Sequence, residues 1–434
     1  MSEERRIHIE VPVLARVEGE GALHLRIEDG RIEHLQLRIF EPPRFFEKFL
    51  EGRAWHEVPD VVARICGICP VAYQMSAVQA LEDIFAITPD PWVRAMRRVM
   101  YCGEWIQSHA LHIHLLALPD FFGCNSVVEL ARDHAGEVRR GFRLQALGND
   151  LIALFGGRSV HPVGVRVGGF HRAPDAERIA ELLPRLEAGV AEAADLVRWC
   201  AGIAMPDDQQ EFVSVALRAE DEYAMGEGRV VSSTGLDLAR QDYDSHFSES
   251  HIAHSTALYS HLDGQPYLVG PLARLNLNHA QLPDSTRALL QASGLQLPSR
   301  NMFHSLLARA LEIHLALVEA VRLLSAPPAF ESAYQPASPR AGIGYGATEA
   351  PRGLLWHRYE TAADGSIVSA RIVPPTSQNQ ARMEEDLKQS LEAFGLDQHE
   401  DAIRLRGETV IRNYDPCISC ATHFLRLGIE REPQ

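Results

Sequence analysis

The sequence predicts an α+β fold, predominantly helical, with a long-helix core and β-hairpins at its periphery. Three observations lead there. Apolar residues recur at helical spacing through several long segments. Alternating apolar and polar runs meet at two Asp-Gly steps, Asp29-Gly30 and Asp364-Gly365, which is the turn chemistry of hairpins. Two Cys-x-x-Cys pairs, Cys66 with Cys69 and Cys417 with Cys420, stand at opposite ends of the chain, so joint action requires one folded unit that gathers both ends.

Residues 7–40 alternate as strands do, and the run Ala22-Leu-His-Leu-Arg-Ile-Glu-Asp-Gly-Arg-Ile turns at Asp29-Gly30. Helical periodicity then predicts core helices over 91–118, 127–154 and 176–203, the last with Glu and Arg on its outer face. Across 207–280, interleaved Gly, Ser, Asp and His predict short strands and loops. A long helix over 299–325 stops before Pro327-Pro328, since proline has no N–H to donate and its ring clashes with the preceding turn. Residues 329–350, rich in Gly, Pro and Ala, are expected to be irregular. A second hairpin over 354–373 turns at Asp364-Gly365, and helices over 379–393 and 400–413 deliver the chain to Asp415-Pro416-Cys417. No repeat, low-complexity tract or linker interrupts this order. Residues 1–434 therefore read as a single domain: an N-terminal hairpin region (1–60), a helical core (61–330) with a β/loop insertion near 207–280, a C-terminal region (331–423) and a short tail (424–434).

With 434 residues, 46% of them hydrophobic, the chain can bury a substantial core. Its seven cysteines form an odd set without the spacing of a secreted scaffold, which points to a reducing compartment. The opening Met-Ser-Glu-Glu-Arg-Arg-Ile-His-Ile-Glu has no apolar segment of a secretory signal, and no apolar run reaches the roughly 18 residues of a membrane span. A cytoplasmic protein without direct membrane insertion is expected. The net charge of −16 argues against nucleic acid or an anionic membrane as a main partner.

Two-residue spacing lets two thiolates reach one metal, and two such pairs offer four soft ligands. Zinc staples usually draw their pairs from within a few tens of residues, because they fold a short segment. The wide separation of these pairs suggests a metal at the centre of a large fold. Four thiolates with no histidine in either pair leave three readings: structural zinc, an iron–sulfur cluster, or a nickel or nickel–iron centre.

The flanking residues narrow these. Arg64-x-Cys66-Gly67-x-Cys69 and Asp415-Pro416-Cys417-x-x-Cys420-x-x-His423 resemble the two signature motifs of the nickel–iron hydrogenase large (catalytic) subunit. Further resemblances follow in family order: Arg16-Val-Glu18-Gly19, Arg44-Phe-Phe-Glu47, Gly156-Gly157 with His161-Pro162, Gly168-Gly169, Glu349-Ala350-Pro351-Arg352-Gly353 and Val373-Pro374-Pro375-Thr376. Together they run along almost the whole chain.

The resemblance implies the family's large-subunit fold and the reversible splitting of H2 into protons and electrons. It implies a nickel–iron centre with CO and cyanide on the iron. Cys66 and Cys417 would be terminal nickel ligands, and Cys69 and Cys420 would bridge nickel and iron. Cys417 would accept the first proton and Glu18 would pass it on, while Arg352 would hang over the open side of the metal pair. A carboxylate in Val-Glu-Gly-Glu-Gly is otherwise ordinarily solvated, and a lone arginine ordinarily pairs with an acid. Pro374 and Thr376 would line the iron side, with Thr376 donating to a cyanide. Glu47, the backbone carbonyl of Arg371 and His423 would hold Mg2+, a hard cation suited to oxygen ligands. The tail after His423 would be removed by an endopeptidase once the metals are loaded, so that 331–423 closes the metal site.

Two positions depart from the widespread family pattern: Tyr73 replaces a histidine that hydrogen-bonds a bridging sulfur, and Ser108-His109 replaces Asp-His. His109, His112 and His114 look like a metal array, but 109 and 112 are read as polar packing. Cys102, Cys124 and Cys200 are isolated and read as small buried residues. With all motif cysteines claimed and no Gly-x-Gly-x-x-Gly following a strand, electrons must leave through other polypeptides. The resemblance implies an iron–sulfur small subunit and, in the cytoplasmic bidirectional branch that this chain resembles, flavin and iron–sulfur subunits that reduce NAD(P). Maturation proteins would install the centre. The rival readings are a complex I-like quinone-site subunit, which shares the fold but lacks the four cysteines, and a zinc-stapled interaction protein.

Overall fold

The computed structural model describes residues 6–422. At the N-terminus, β1 (Arg6–Val11), β2 (Gly21–Glu28) and β3 (Arg31–Ile39) form an antiparallel sheet in the order β1-β2-β3, with Asp29 and Gly30 at the expected turn, both at positive φ. Their inward Ile7, Ile9, Leu23, Leu25 and Ile27 pack with Leu387, Leu391, Ile403 and Ile411 from two helices near the C-terminus. The two ends of the sequence thus share one apolar cluster.

The centre is a set of long helices: α1 (Pro70–Phe85), α2 (Pro91–Leu111), α3 (Ala135–Gly156), α4 (Ala176–Ala201) and α5 (Ser305–Ser325). α2 packs on α3 and α5, and α5 packs on α4. Buried residues run right round α5, from Leu306 to Leu324, as a central helix requires. α6 (Pro375–Phe394) and α7 (Glu400–Tyr414) complete the C-terminal part, and the 207–280 region contributes short strands, among them Val215–Arg218, Phe247–His251 and Leu258–Leu262. No helix among the described residues is long and apolar enough to cross a membrane.

Several boundaries differ from expectation. The predicted 91–118 helix is α-helical to Leu111 and then relaxes into a π-helical turn over His112–Ala117, a feature often found beside functional sites. The 127–154 segment breaks at His134, and the 299–325 helix begins at Ser305 after a 3-10 turn. The predicted 379–393 helix starts earlier, at Pro375, because proline is well suited to a first helical turn. α1 went unpredicted. Fourteen of its residues are buried, so no polar face marks the helical period.

The largest correction concerns 329–350. It is not irregular throughout: β4 (Gly342–Ala350) pairs antiparallel with β5 (Gly353–Thr361), which pairs with β6 (Ile367–Val373). The glycines that read as loop signals serve close packing. A Cβ on Gly344 would lie 2.2 Å from the carbonyl oxygen of Ala80, and one on Gly346 would lie 2.0 Å from that of Ser76. α1 rests directly on the strand's backbone at these points.

Candidate metal centre

Both Cys-x-x-Cys pairs sit at helix starts. Cys69 is the N-cap of α1, with Pro70 behind it, and the backbone N–H groups of Ile68 and Cys69 each donate to Cys66 Sγ at 3.3 Å. Cys417 is the N-cap of the short helix Ile418–Ala421. α7 ends at Asp415 in the left-handed region, and this sharp stop turns Cys417 inward.

The fold brings the four sulfurs together: every pair lies within 4.8 Å, and all four residues are buried. Cys66 Sγ is 3.4 Å from Cys417 Sγ, and Cys69 Sγ is 3.9 Å from Cys420 Sγ. Hydrogen bonds, that from Cys417 foremost, hold the Cys66 thiol well below its usual range. Burial pushes Cys417 and Cys420 up. Such a cluster cannot carry four negative charges unaided, so its chemistry fits soft divalent metal.

Around the quartet stand most of the expected residues. Glu18 is bridged to the second pair through its backbone, since Ile418 N–H donates to the Glu18 carbonyl at 3.0 Å. Its carboxylate accepts from Ser419 N–H at 3.1 Å. Burial first, and then the negative charge on Cys66, raise its pKa, while hydrogen bonds from Ser419 and Cys417 oppose the rise. Gly19 permits the approach: it has φ 91°, and a Cβ there would meet Ile418 at 2.6 Å. Arg352 is 3% exposed and donates through Nε to the Asp415 carbonyl (2.8 Å) and through Nη2 to Asp415 Oδ1 (2.9 Å). Its charge also acts on Cys417, Cys69 and Cys66. Thr376 Oγ1 accepts from Cys417 N–H at 2.9 Å, and Pro374 is the N-cap of α6.

Glu47 Oε1 accepts from Ile372 N–H at 2.7 Å, which puts this carboxylate at the Arg371–Ile372 peptide. The Arg371 side chain turns elsewhere, pairing with Glu249 at 3.0 Å and with Asp244. His423 and the tail lie outside the described residues. Tyr73, one turn beyond Cys69, has its hydroxyl buried and interacting with Cys420, whereas the buried Ser108 hydroxyl has no hydrogen-bond partner among the described residues. Burial, then the negative charge of Cys420 and Cys69, pushes Tyr73 well above its usual range.

The histidines on α2 and its π-helical extension are packed and hydrogen-bonded. His109 Nε2 meets Glu312 at 2.9 Å, His112 Nε2 meets the Arg412 carbonyl at 2.8 Å, and His114 Nδ1 meets the Ala110 carbonyl at 2.9 Å. Burial lowers them to about 4, about 3 and about 4, so all three are neutral at pH 7. This has a stability consequence, clearest at His114. Below the unfolded pKa near 6.5 the unfolded chain takes up a proton that the folded chain refuses until about 4, so stability falls as pH falls through that window. The loss is on the order of 3 kcal/mol. A His114→Gln variant should show a shallower decline of unfolding temperature from pH 6.5 to 4.5 than wild type; parallel curves would refute the linkage.

Three residues near the site escaped sequence reasoning. Glu104 on α2 is fully buried and accepts from Val71 N–H (2.6 Å) and Ala72 N–H (3.0 Å), capping the helix that starts at Cys69. Arg44 donates to the Ile65 carbonyl at 2.7 Å and to the Ser419 carbonyl, tying the two cysteine segments together. Asp415 anchors Arg352. Arg44 and Asp415 at least lay inside recognised motifs; nothing in the sequence around Glu104 marked it.

The sequence matches the family described as nickel-dependent hydrogenase over residues 44–143 and 237–423. The chain belongs to this family. It is 32% identical to sulfhydrogenase 2 subunit alpha of Pyrococcus furiosus over 96% of this chain and 100% of that one. It is 27% identical to the NAD-reducing hydrogenase HoxS subunit beta of Cupriavidus necator, over 95% and 94% respectively. Among solved structures, an NAD+-reducing [NiFe]-hydrogenase in the H2-reduced state superposes with a TM-score of 0.87 at 28% identity, covering 96% of this chain and 99% of that one. The chain has the large-subunit fold of a nickel–iron hydrogenase, an oxidoreductase, as the motifs implied. The quinone-site and zinc-staple readings fall with this membership.

Proposed function

We propose that Cys66, Cys69, Cys417 and Cys420 would together hold a nickel–iron pair. The convergence of four buried sulfurs from opposite ends of the chain carries this reading. When bound, the pair supplies the Lewis acidity and redox capacity that split H2 heterolytically. Cys417 is the first proton acceptor. Glu18, hydrogen-bonded to the same turn and held at a raised pKa, carries the proton onward. Arg352, fixed by Asp415, directs positive charge at the open side of the centre. Thr376, whose oxygen accepts from Cys417 N–H, keeps its own hydroxyl proton free to donate to a cyanide on iron beside Pro374. The group held there would carry CO as well as cyanide on its iron. Glu47, the Arg371 carbonyl and His423 would be the ligands of Mg2+, a hard cation suited to oxygen. Glu47 accepts from Ile372 N–H, on the side of that peptide opposite the Arg371 carbonyl, so the peptide would have to turn for both oxygens to reach one cation.

Residues 1–434 act as one catalytic domain whose 331–423 part closes the site. Electrons pass to an iron–sulfur small subunit and on through flavin and iron–sulfur subunits to NAD(P). The match to a NAD-reducing hydrogenase supports that acceptor. The complex is cytoplasmic, and maturation proteins load its centre before an endopeptidase trims the tail after His423.

One preparation tests the whole reading. The complex purified from its native host should contain nickel and iron at the quartet, show infrared bands of metal-bound CO and cyanide, reduce NAD+ or NADP+ with H2, and have a large subunit ending at His423 by intact mass. Zinc without nickel would overturn the proposal, and full activity with Gln434 still attached would overturn the trimming.

A further inference from the structure

Behind the metal-facing loop lies a charged residue that no motif marked. Arg274, on the helix Pro271–Asn278, is fully buried. Its guanidinium has five N–H donors, and each has an acceptor. Nε and Nη2 donate to the two carboxylate oxygens of Glu312, at 2.8 and 2.7 Å. Nη1 donates to Glu349 at 3.0 Å and to the Ala350 carbonyl at 2.9 Å. Nη2 also donates to the Pro351 carbonyl at 2.9 Å. The guanidinium carbon lies 4.4 Å from the centre of the Trp105 ring, and the indole N–H of Trp105 donates to the Glu349 carbonyl at 2.9 Å. Three successive residues before Arg352 are therefore held by one planar cation and its stacking partner.

We propose that Arg274 is a positioning residue for H2 chemistry: by pinning the carbonyls of Ala350 and Pro351 it aims the Arg352 guanidinium at Asp415 and the sulfur quartet. This rests on the role given to Arg352 above. The β4–β5 turn that carries Arg352 is short, and its direction follows from the two carbonyls preceding it. Both bond one rigid fork whose orientation is set by the paired oxygens of Glu312 and by the ring beneath. A lysine at 274 keeps the charge but has three donors and no plane, so it cannot hold both carbonyls and both acids together.

The test uses the assembled hydrogenase with Arg274→Lys, Arg352→Lys and the double variant. Arg274→Lys should keep wild-type nickel and iron, lower kcat for H2 by about 100-fold, comparable to removing a preorganised electrostatic donor, and leave KM for H2 nearly unchanged. The double variant should fall little below the worse single variant, because both act through one group. Losses that multiply in an active complex would overturn the positioning role alone, whereas a wild-type complex without H2 turnover would sink the reading on which it rests. A crystal structure of Arg274→Lys adds a readout independent of turnover: Arg352 should leave Asp415 while the quartet stays in place, and an unmoved Arg352 would refute the inference. Should Arg274→Lys fail to assemble, Glu349→Gln removes only one of the two carboxylate charges that face Arg274. It should lower kcat about tenfold with the same non-additivity toward Arg352→Lys, and additive losses there would equally refute it.

Discussion

Replacing Cys417 with alanine is expected to leave a complex that retains no nickel. Four sulfurs within 4.8 Å of one another, all buried, form a site in which each ligand is required, since among the described residues the neighbouring carboxylates and imidazoles are engaged elsewhere. Glu18 already accepts from Ser419, Glu104 caps α1, and His109 and His112 are hydrogen-bonded elsewhere. Losing one thiolate also removes a ligand charge from the metals, and affinity for soft metals depends steeply on thiolate count. Cys66→Ala, Cys69→Ala and Cys420→Ala should behave alike. Cys102→Ala serves as the control: this thiol is buried on α2, pushed up to about 12 by burial, and belongs to no quartet. Metal analysis of the purified complexes decides between them. Full nickel in Cys417→Ala, or equal loss in Cys102→Ala, would show that the quartet is not the site.

Glu18→Gln should lower H2 turnover and H/D exchange with solvent by about 100-fold or more, the range for a lost general acid–base group. The glutamine oxygen can still accept from Ser419 N–H, so the Glu18–Ser419 contact and the backbone bond to Ile418 survive. What is lost is a titratable carboxyl, whose pKa burial and the Cys66 charge raise, and with it the group that can carry a proton. Nickel content should be unchanged, which separates this variant from those of the cysteines. Exchange at the wild-type rate would mean that protons leave by another route, and nickel loss would mean that Glu18 is structural.

The difference between these variants reflects how the site is assembled. The cysteines were legible in the sequence because their spacing is itself the chemistry: two residues between thiols is what one metal requires. Glu18 and Arg352 were legible only through motif resemblance, since a carboxylate in a glycine-rich turn and an arginine after proline have ordinary fates. The structure gives each a reason, through the parallel bridge between Glu18 and Cys417 and the Arg352–Asp415 pair. Glu104 stayed invisible. It lies amid an amphipathic pattern, and only the packing of α2 across the start of α1 turns it into a cap.

The fold divides the same way. Periodicity located the long amphipathic helices, and the Asp-Gly steps located both turns, because those signals arise within a few residues of each other. The pattern failed where neighbours from afar set the requirement. α1 is buried on nearly every side and shows no helical face, while β4 carries glycines because a helix lies on its backbone. By itself, then, the sequence singled out the four cysteines that the fold gathers, the turns, the amphipathic helices and the family. Tertiary structure alone decided which partners the charged groups meet: buried Arg274 with Glu312 and Glu349, half-buried Arg44 with the carbonyls of Ile65 and Ser419, buried Glu104 with the first turn of α1. The physical reason is that a buried polar group must find its partners wherever the chain brings them, and these partners are distant in sequence, beyond the reach of composition, spacing or period.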